Sequence, residues 1–152
     1  MERPSNLTDE KDGFHVLFHR HAVRELLMRV MIVDDDPGMR QVLSKMLLSS
    51  GFEGVEEVGD GEEALARLAV AKVDLIITDC IMPRMDGVAM VTALRRRGDQ
   101  TPVIMLSGQD DPHVVVRAIR AGVNNYVPKP IRPEHFFEKI WQTLGINRAV
   151  AL

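Results

Sequence analysis

From Arg29 onward, short apolar runs alternate with segments whose apolar residues recur at helical spacing. That alternation predicts a parallel sheet built from strand–helix–strand units. Val30 to Val33 is an apolar run ending in Asp34, Asp35 and Asp36, and Pro37 suits the first helical position after an Asp36 cap. Met39, Val42, Leu43, Met46 and Leu47 give the first helix its buried stripe, which Gly51 ends. The second strand, Val55 to Val58, carries Glu56 and Glu57, as an exposed edge strand does. Asp60 and Glu63 stand in capping-box spacing before a second helix that turns Ala64, Leu65, Leu68 and Ala69 inward. Val73 to Thr78 is nearly all apolar and predicts a central strand covered on both faces.

The third helix is predicted from Gly87 to Arg97, with Arg95, Arg96 and Arg97 near its negative end and Gly98 beyond. At that position the arginines read as structural rather than as a nucleic-acid patch. Pro102 to Leu106 is strand four; Asp111 and Pro112 open a helix that ends near Gly122. Asn125 to Val127 is a short fifth strand, and Pro133 to Leu144 a last helix with Phe136, Phe137, Ile140, Trp141 and Leu144 available to pack. The fold class is therefore α/β: a doubly wound, five-stranded parallel sheet with five helices. Residues 1–28 form an N-terminal extension, expected to be disordered or a short helix: Arg3 to Gly13 is polar enough to read as disordered, and His15 to Met28 follows a helical stripe only in part. The domain proper spans 29–147, and 148–152 is a tail.

Composition narrows the setting. A chain of 152 residues, 45% of them hydrophobic, suffices for one core. A net charge of −3 gives no global pull toward nucleic acid or an anionic membrane. Cys80 is the only cysteine, so no intrachain disulfide can form, and a reduced cytoplasmic setting is expected. No apolar stretch approaches a membrane span, and the Met1 end lacks a signal pattern. His15, His19 and His21 lie close together without a further ligand pattern and read as surface histidines.

A doubly wound sheet binds ligands beyond the carboxyl ends of its strands, where strand order reverses. Polar residues gather at those ends: Asp34 and Asp35 after strand one, Asp79 after strand three, Ser107 after strand four, Lys129 after strand five. In strand order 2-1-3-4-5, strands one and three are neighbours, which brings Asp34, Asp35 and Asp79 into one pocket. Three carboxylates so close repel one another, and a hard divalent cation makes the arrangement tolerable. A partly hydrated site with few ligands suits Mg²⁺ better than Ca²⁺. A carboxylate beside Mg²⁺ can attack phosphorus to form an acyl phosphate, with Lys129 and the Ser107 hydroxyl meeting the charge on the transferring group. The plainer roles are a helix cap for Asp36 and for Asp86, ordinary loop positions for Ser107 and Lys129, and a small buried hydrophobe for Cys80.

Four segments, in order, carry a family resemblance: Val-Asp-Asp-Asp-Pro at 33–37, Asp79 through Gly87 (Asp-Cys-Ile-Met-Pro-Arg-Met-Asp-Gly), Leu-Ser-Gly at 106–108, and Tyr-Val-Pro-Lys-Pro at 126–130. With them the sequence resembles the receiver domain of bacterial response regulators in two-component signalling, most closely the single-domain, chemotaxis-regulator-like type with a flavodoxin-like fold. The resemblance implies Asp79 as phosphoacceptor and Asp34 and Asp35 as acidic metal-site residues. It also implies Ile81 as a metal ligand through its backbone carbonyl, Ser107 and Lys129 as phosphoryl contacts, and a cis Lys129-Pro130 bond.

The resemblance further implies a histidine kinase or histidine phosphotransfer protein as phosphoryl donor. Ser107 and Tyr126 would switch the face made by helix four, strand five and helix five. With few residues after the last helix, output is expected through a downstream target protein, with no nucleic-acid or membrane partner, from a monomer or weak dimer. No enzyme turnover is expected beyond autocatalytic acceptance and slow loss of the phosphoryl group. A relay from Asp79 to a histidine protein is one alternative. A haloacid-dehalogenase-type phosphatase is another, but it expects a second Asp two residues after the nucleophile, where Ile81 stands.

Overall fold

In the structure, a computed structural model that describes residues 27–108 and 111–146, the apolar runs form five strands. These are β1 (Arg29–Val33), β2 (Gly54–Val58), β3 (Leu75–Asp79), β4 (Val103–Ser107) and β5 (Asn125–Pro128). All pair in parallel in the order β2-β1-β3-β4-β5, as the sequence predicts. Between them lie α1 (Pro37–Ser49), α2 (Gly61–Val70), α3 (Gly87–Arg96) and α4 (Pro112–Ala121), and α5 (Pro133–Leu144) follows the last strand. The N-terminal extension before Leu27, with its three histidines, the tail at 148–152 and Gln109 lie outside the described residues.

The period-2 side-chain alternation of β1 explains why both sheet faces are covered. Val30 and Ile32 join Leu43 and Leu47 of α1 and Phe136, Ile140 and Trp141 of α5 on one face. Met31 and Val33 join Ala64, Leu65 and Leu68 of α2 and Met90, Val91 and Leu94 of α3 on the other. Trp141 stacks on Phe52 with ring centroids 5.6 Å apart. A third, small cluster of Cys80, Met105 and Ala118 holds α4.

Local capping follows the predicted chemistry. The Asp36 carboxylate accepts the Gly38 N–H at 2.9 Å, Asp60 accepts that of Glu63 at 2.8 Å, and Asp86 that of Ala89 at 2.7 Å. The edge glutamates are paired rather than bare: Glu56 with Arg67, and Glu57 with Arg40 at 3.6 Å.

Two predicted core residues point outward. Val42 is 54% exposed, and Ala69 also faces solvent. The buried stripes run through Leu43, Ser44 and Leu47 in α1 and through Ala64, Leu65 and Leu68 in α2, and a further step of about 100° from Leu43 or Leu68 carries Val42 and Ala69 past the stripe's edge. The third strand also begins later than its apolar run. Val73 is buried but lies in the loop before Leu75, where the Asp74 N–H is tied to the Arg29 carbonyl at 2.8 Å.

Of the three arginines ending α3, Arg95 and Arg97 are structural. Arg95 donates to the carbonyls of Asp99, Thr101 and Gly122, each at 2.9 Å, and to the Asn124 side chain at 3.2 Å. Arg97 reaches the Leu65 carbonyl of α2 at 3.0 Å. Arg95→Met keeps the apolar stem but strands those acceptors, and is expected to cost about 2–3 kcal/mol in urea unfolding. Arg96→Met should be near neutral; equal costs for the two would refute this account.

Candidate functional site

The strand order delivers the predicted residues to one end of the sheet. Asp34 follows β1, Asp79 ends β3, Ser107 ends β4 and Lys129 follows β5. Carboxylate oxygens of Asp34, Asp35 and Asp79 all lie within 4.8 Å of one another, so β1 and β3 do bring the three acids together. The Lys129 ammonium sits 3.3 Å from Asp79 Oδ2. Ser107 is buried at 2% exposure, and its carbonyl accepts the Lys129 N–H at 2.8 Å, locking the β4 and β5 ends together. The Lys129-Pro130 bond is cis.

Each acid is held differently. Asp79 Oδ1 accepts the Cys80 N–H at 2.8 Å, leaving Oδ2 toward Lys129. Asp34 is 1% exposed; its Oδ1 accepts the Asp36 N–H at 2.9 Å, but its Oδ2 is buried with no hydrogen-bond partner. Burial pushes the Asp34 carboxyl above the usual range, the Asp36 N–H pulls it back, and Asp79 and Asp35 raise it against Lys129. Asp35 is exposed. A buried carboxylate oxygen with no donor, beside two more carboxylates, fits a hard divalent cation, which supplies positive charge to hard oxygen donors. Ile81, two residues beyond Asp79, exposes 57% of its surface.

Other residues near the site follow the plainer expectations. Asp36 and Asp86 are caps. Cys80 is buried and its thiol pKa is raised, first by burial and then by Asp86 and Asp79, so it stays a protonated small hydrophobe. Tyr126 packs against the small cluster that includes Cys80 and Met105.

Three contributors were not identified from sequence. Arg40 of α1 donates to the Asp34 carbonyl at 2.6 Å and fixes the loop after β1. Arg84, at a left-handed φ of 66°, ties the loop after β3 to Asp60 at the start of α2. Gly87 approaches so closely that a Cβ there would lie 2.3 Å from the Asp79 carbonyl oxygen. A glycine directly after the Asp86 cap is the one sequence signal of that approach; the arginine contacts leave none.

With this geometry in place, similarity to known proteins is specific. The family model for the response regulator receiver domain matches residues 30–141. The chemotaxis protein CheY1 of Helicobacter pylori is 37% identical over 123 residues, covering 79% of this chain and 99% of that protein. The response regulator MprA of Mycobacterium leprae is 36% identical over 113 residues, but these are only 49% of its length. Among solved structures, the chemotaxis protein CheY4 of Vibrio cholerae is similar with a TM-score of 0.72 at 34% identity, over 77% of this chain and 98% of that one. No described helix is long and apolar enough to cross a membrane.

Proposed function

The chain belongs to the response regulator receiver domain family, and from that premise we propose that Asp79 accepts a phosphoryl group from a histidine kinase or histidine phosphotransfer protein. The observation that carries the reading is the placement of Asp79 between the acids Asp34 and Asp35 and the Lys129 ammonium. Asp34, Asp35, Asp79 and the Ile81 backbone carbonyl would hold Mg²⁺, which offsets the repulsion between an anionic nucleophile and phosphoryl oxygens. A bond forms between an Asp79 carboxylate oxygen and phosphorus as the bond from phosphorus to the donor breaks, its electron pair leaving with the donor. Lys129 and the Ser107 hydroxyl meet the phosphoryl oxygens. The protein turns over no separate substrate and loses the group slowly.

Phosphorylation adds charge and acceptors at the end of β3, and Ser107 and Tyr126 carry the change to the face of α4, β5 and α5, where a downstream target protein binds. Intact mass after incubation with acetyl phosphate tests the core of this reading. A gain of one phosphoryl group is expected with Mg²⁺ and none with excess EDTA. Borohydride reduction should convert residue 79, and no other, to homoserine. A gain indifferent to EDTA, or mapped to a histidine, refutes the proposal.

Ile81 also bears on lifetime. An exposed apolar side chain next to the site cannot orient an attacking water. Ile81→Asn adds one hydrogen bond to that water, worth about 1 kcal/mol, so phosphate loss should quicken roughly fivefold. An unchanged rate would show that water orientation at this position does not limit it.

A further inference from the structure

Two adjoining helices carry only positive charge at a place that the phosphoryl chemistry does not use. The chain has 22 acidic residues, yet α3 and α4, like α1, contain none, and α3 and α4 pack side by side. Between these two packed helices lies an open groove of about 500 Å³, and Arg95, Arg96, Arg117 and Arg120 line it. Arg95 is spent on backbone carbonyls. Arg96, Arg117 and Arg120 are exposed and have no hydrogen-bonded or ion-paired partner among the described residues. Dipole compensation could account for Arg96 and Arg120 in the last turns of their helices. It does not account for Arg117, nor for three arginines unpaired among the described residues lining one concavity.

We infer that the α3–α4 groove is a binding site for a compact polyanion of the phosphate class, a polyphosphate or a nucleoside polyphosphate. The cationic groups are all arginine, whose planar fork of donors matches phosphate oxygens in pairs. The volume falls in the range of small-ligand sites, roughly 300–1,000 Å³. The floor includes Val88 and Ala121, apolar surface on which a base or sugar could lie. An extended acidic peptide suits the site less well. Lying along the helices, it would meet Asp86 and Asp111 at their N-terminal ends and Asp99 beyond the C-terminus of α3. These like charges confine an anion to the middle of the groove.

The test is titration of the full chain, in EDTA and at low salt, with tripolyphosphate, ATP and an oligoglutamate of matched charge, followed by backbone amide NMR. Tripolyphosphate or ATP should shift the amides of Thr92, Arg96, Arg117 and Arg120, and binding should weaken as salt rises. The pair Arg117→Gln and Arg120→Gln, both exposed, should weaken it by about tenfold or more. The charge-matched pair Lys45→Gln and Lys72→Gln should leave it unchanged. Tighter binding of ATP than of tripolyphosphate would assign a nucleoside to the apolar floor, and equal binding a bare phosphate chain; either supports the site. No shifts in α3 and α4, equal loss in the two variant pairs, or oligoglutamate binding as tightly as the phosphates would overturn it.

Discussion

Gly87→Ala is expected to destabilise the fold by about 3 kcal/mol or more and to abolish phosphoryl uptake in whatever fraction folds. Gly87 opens α3, and its N–H is bonded to the Cys80 carbonyl at 2.9 Å, so the helix start lies directly on the end of β3. An added methyl would lie 2.3 Å from the Asp79 carbonyl oxygen and 3.1 Å from Met105 Cε. The methionine can swing away; the backbone oxygen cannot move without carrying Asp79 with it. Strain and loss of activity therefore have one cause. Gly59→Ala is the control, because a Cβ there meets nothing nearer than 3.8 Å and its φ is not left-handed. Urea unfolding of the two variants, with mass-detected phosphorylation, decides the matter; a Gly87→Ala protein as stable and as reactive as the parent would refute the argument.

Asp34→Asn is expected to move stability and activity in opposite directions. In EDTA the variant should be more stable by roughly 1–2 kcal/mol, because a neutral amide replaces a buried carboxylate oxygen that lacks a donor. The Asp36 N–H keeps its acceptor. With Mg²⁺, the parent should gain melting temperature as ligand binding stabilises its native state, the variant should gain little, and phosphoryl uptake should fall by about tenfold or more. The pH dependence has a definite sign. The folded pKa of Asp34 lies above its ordinary 3.8, so the native state binds that proton more tightly than the unfolded chain. Asp34 therefore penalises folding above its folded pKa, and the penalty fades as pH falls through that value toward 3.8. The parent's stability in EDTA should thus decline as pH rises across this window, and the variant should lack that component. A variant less stable than the parent in EDTA would show that the acids do not repel one another as the geometry requires.

The five parallel strands and the polar residues at their carboxyl ends were legible from sequence because both follow from local patterns, whereas the strand order is a property of the fold class. Four of the five apolar runs contain nearly the same residues as the strands they became, and the carboxyl-end rule then aligned Asp34, Asp79, Ser107 and Lys129 without a tertiary contact being known. Val42 and Ala69 were misplaced because hydropathy marks which residues can be buried, not how wide a stripe the neighbouring sheet will cover. Arg40 and Arg84 were missed, and the partners of the structural Arg95 were not foreseeable, for another reason. Long arginine stems reach carbonyls or carboxylates far away in sequence, and no periodicity encodes such partners.

Helix α4 has a single fully buried residue, Ala118, whereas α1, α2, α3 and α5 each bury three or more. Its one fully buried side chain is thus a methyl group against Cys80 and Met105, with Val114 only partly buried beside it, so lifting the helix uncovers little hydrophobic surface. The handful of charge-assisted contacts made by one phosphoryl group is of the same energetic order. A lever need only outweigh the latch it lifts, and here the latch is among the weakest in the molecule.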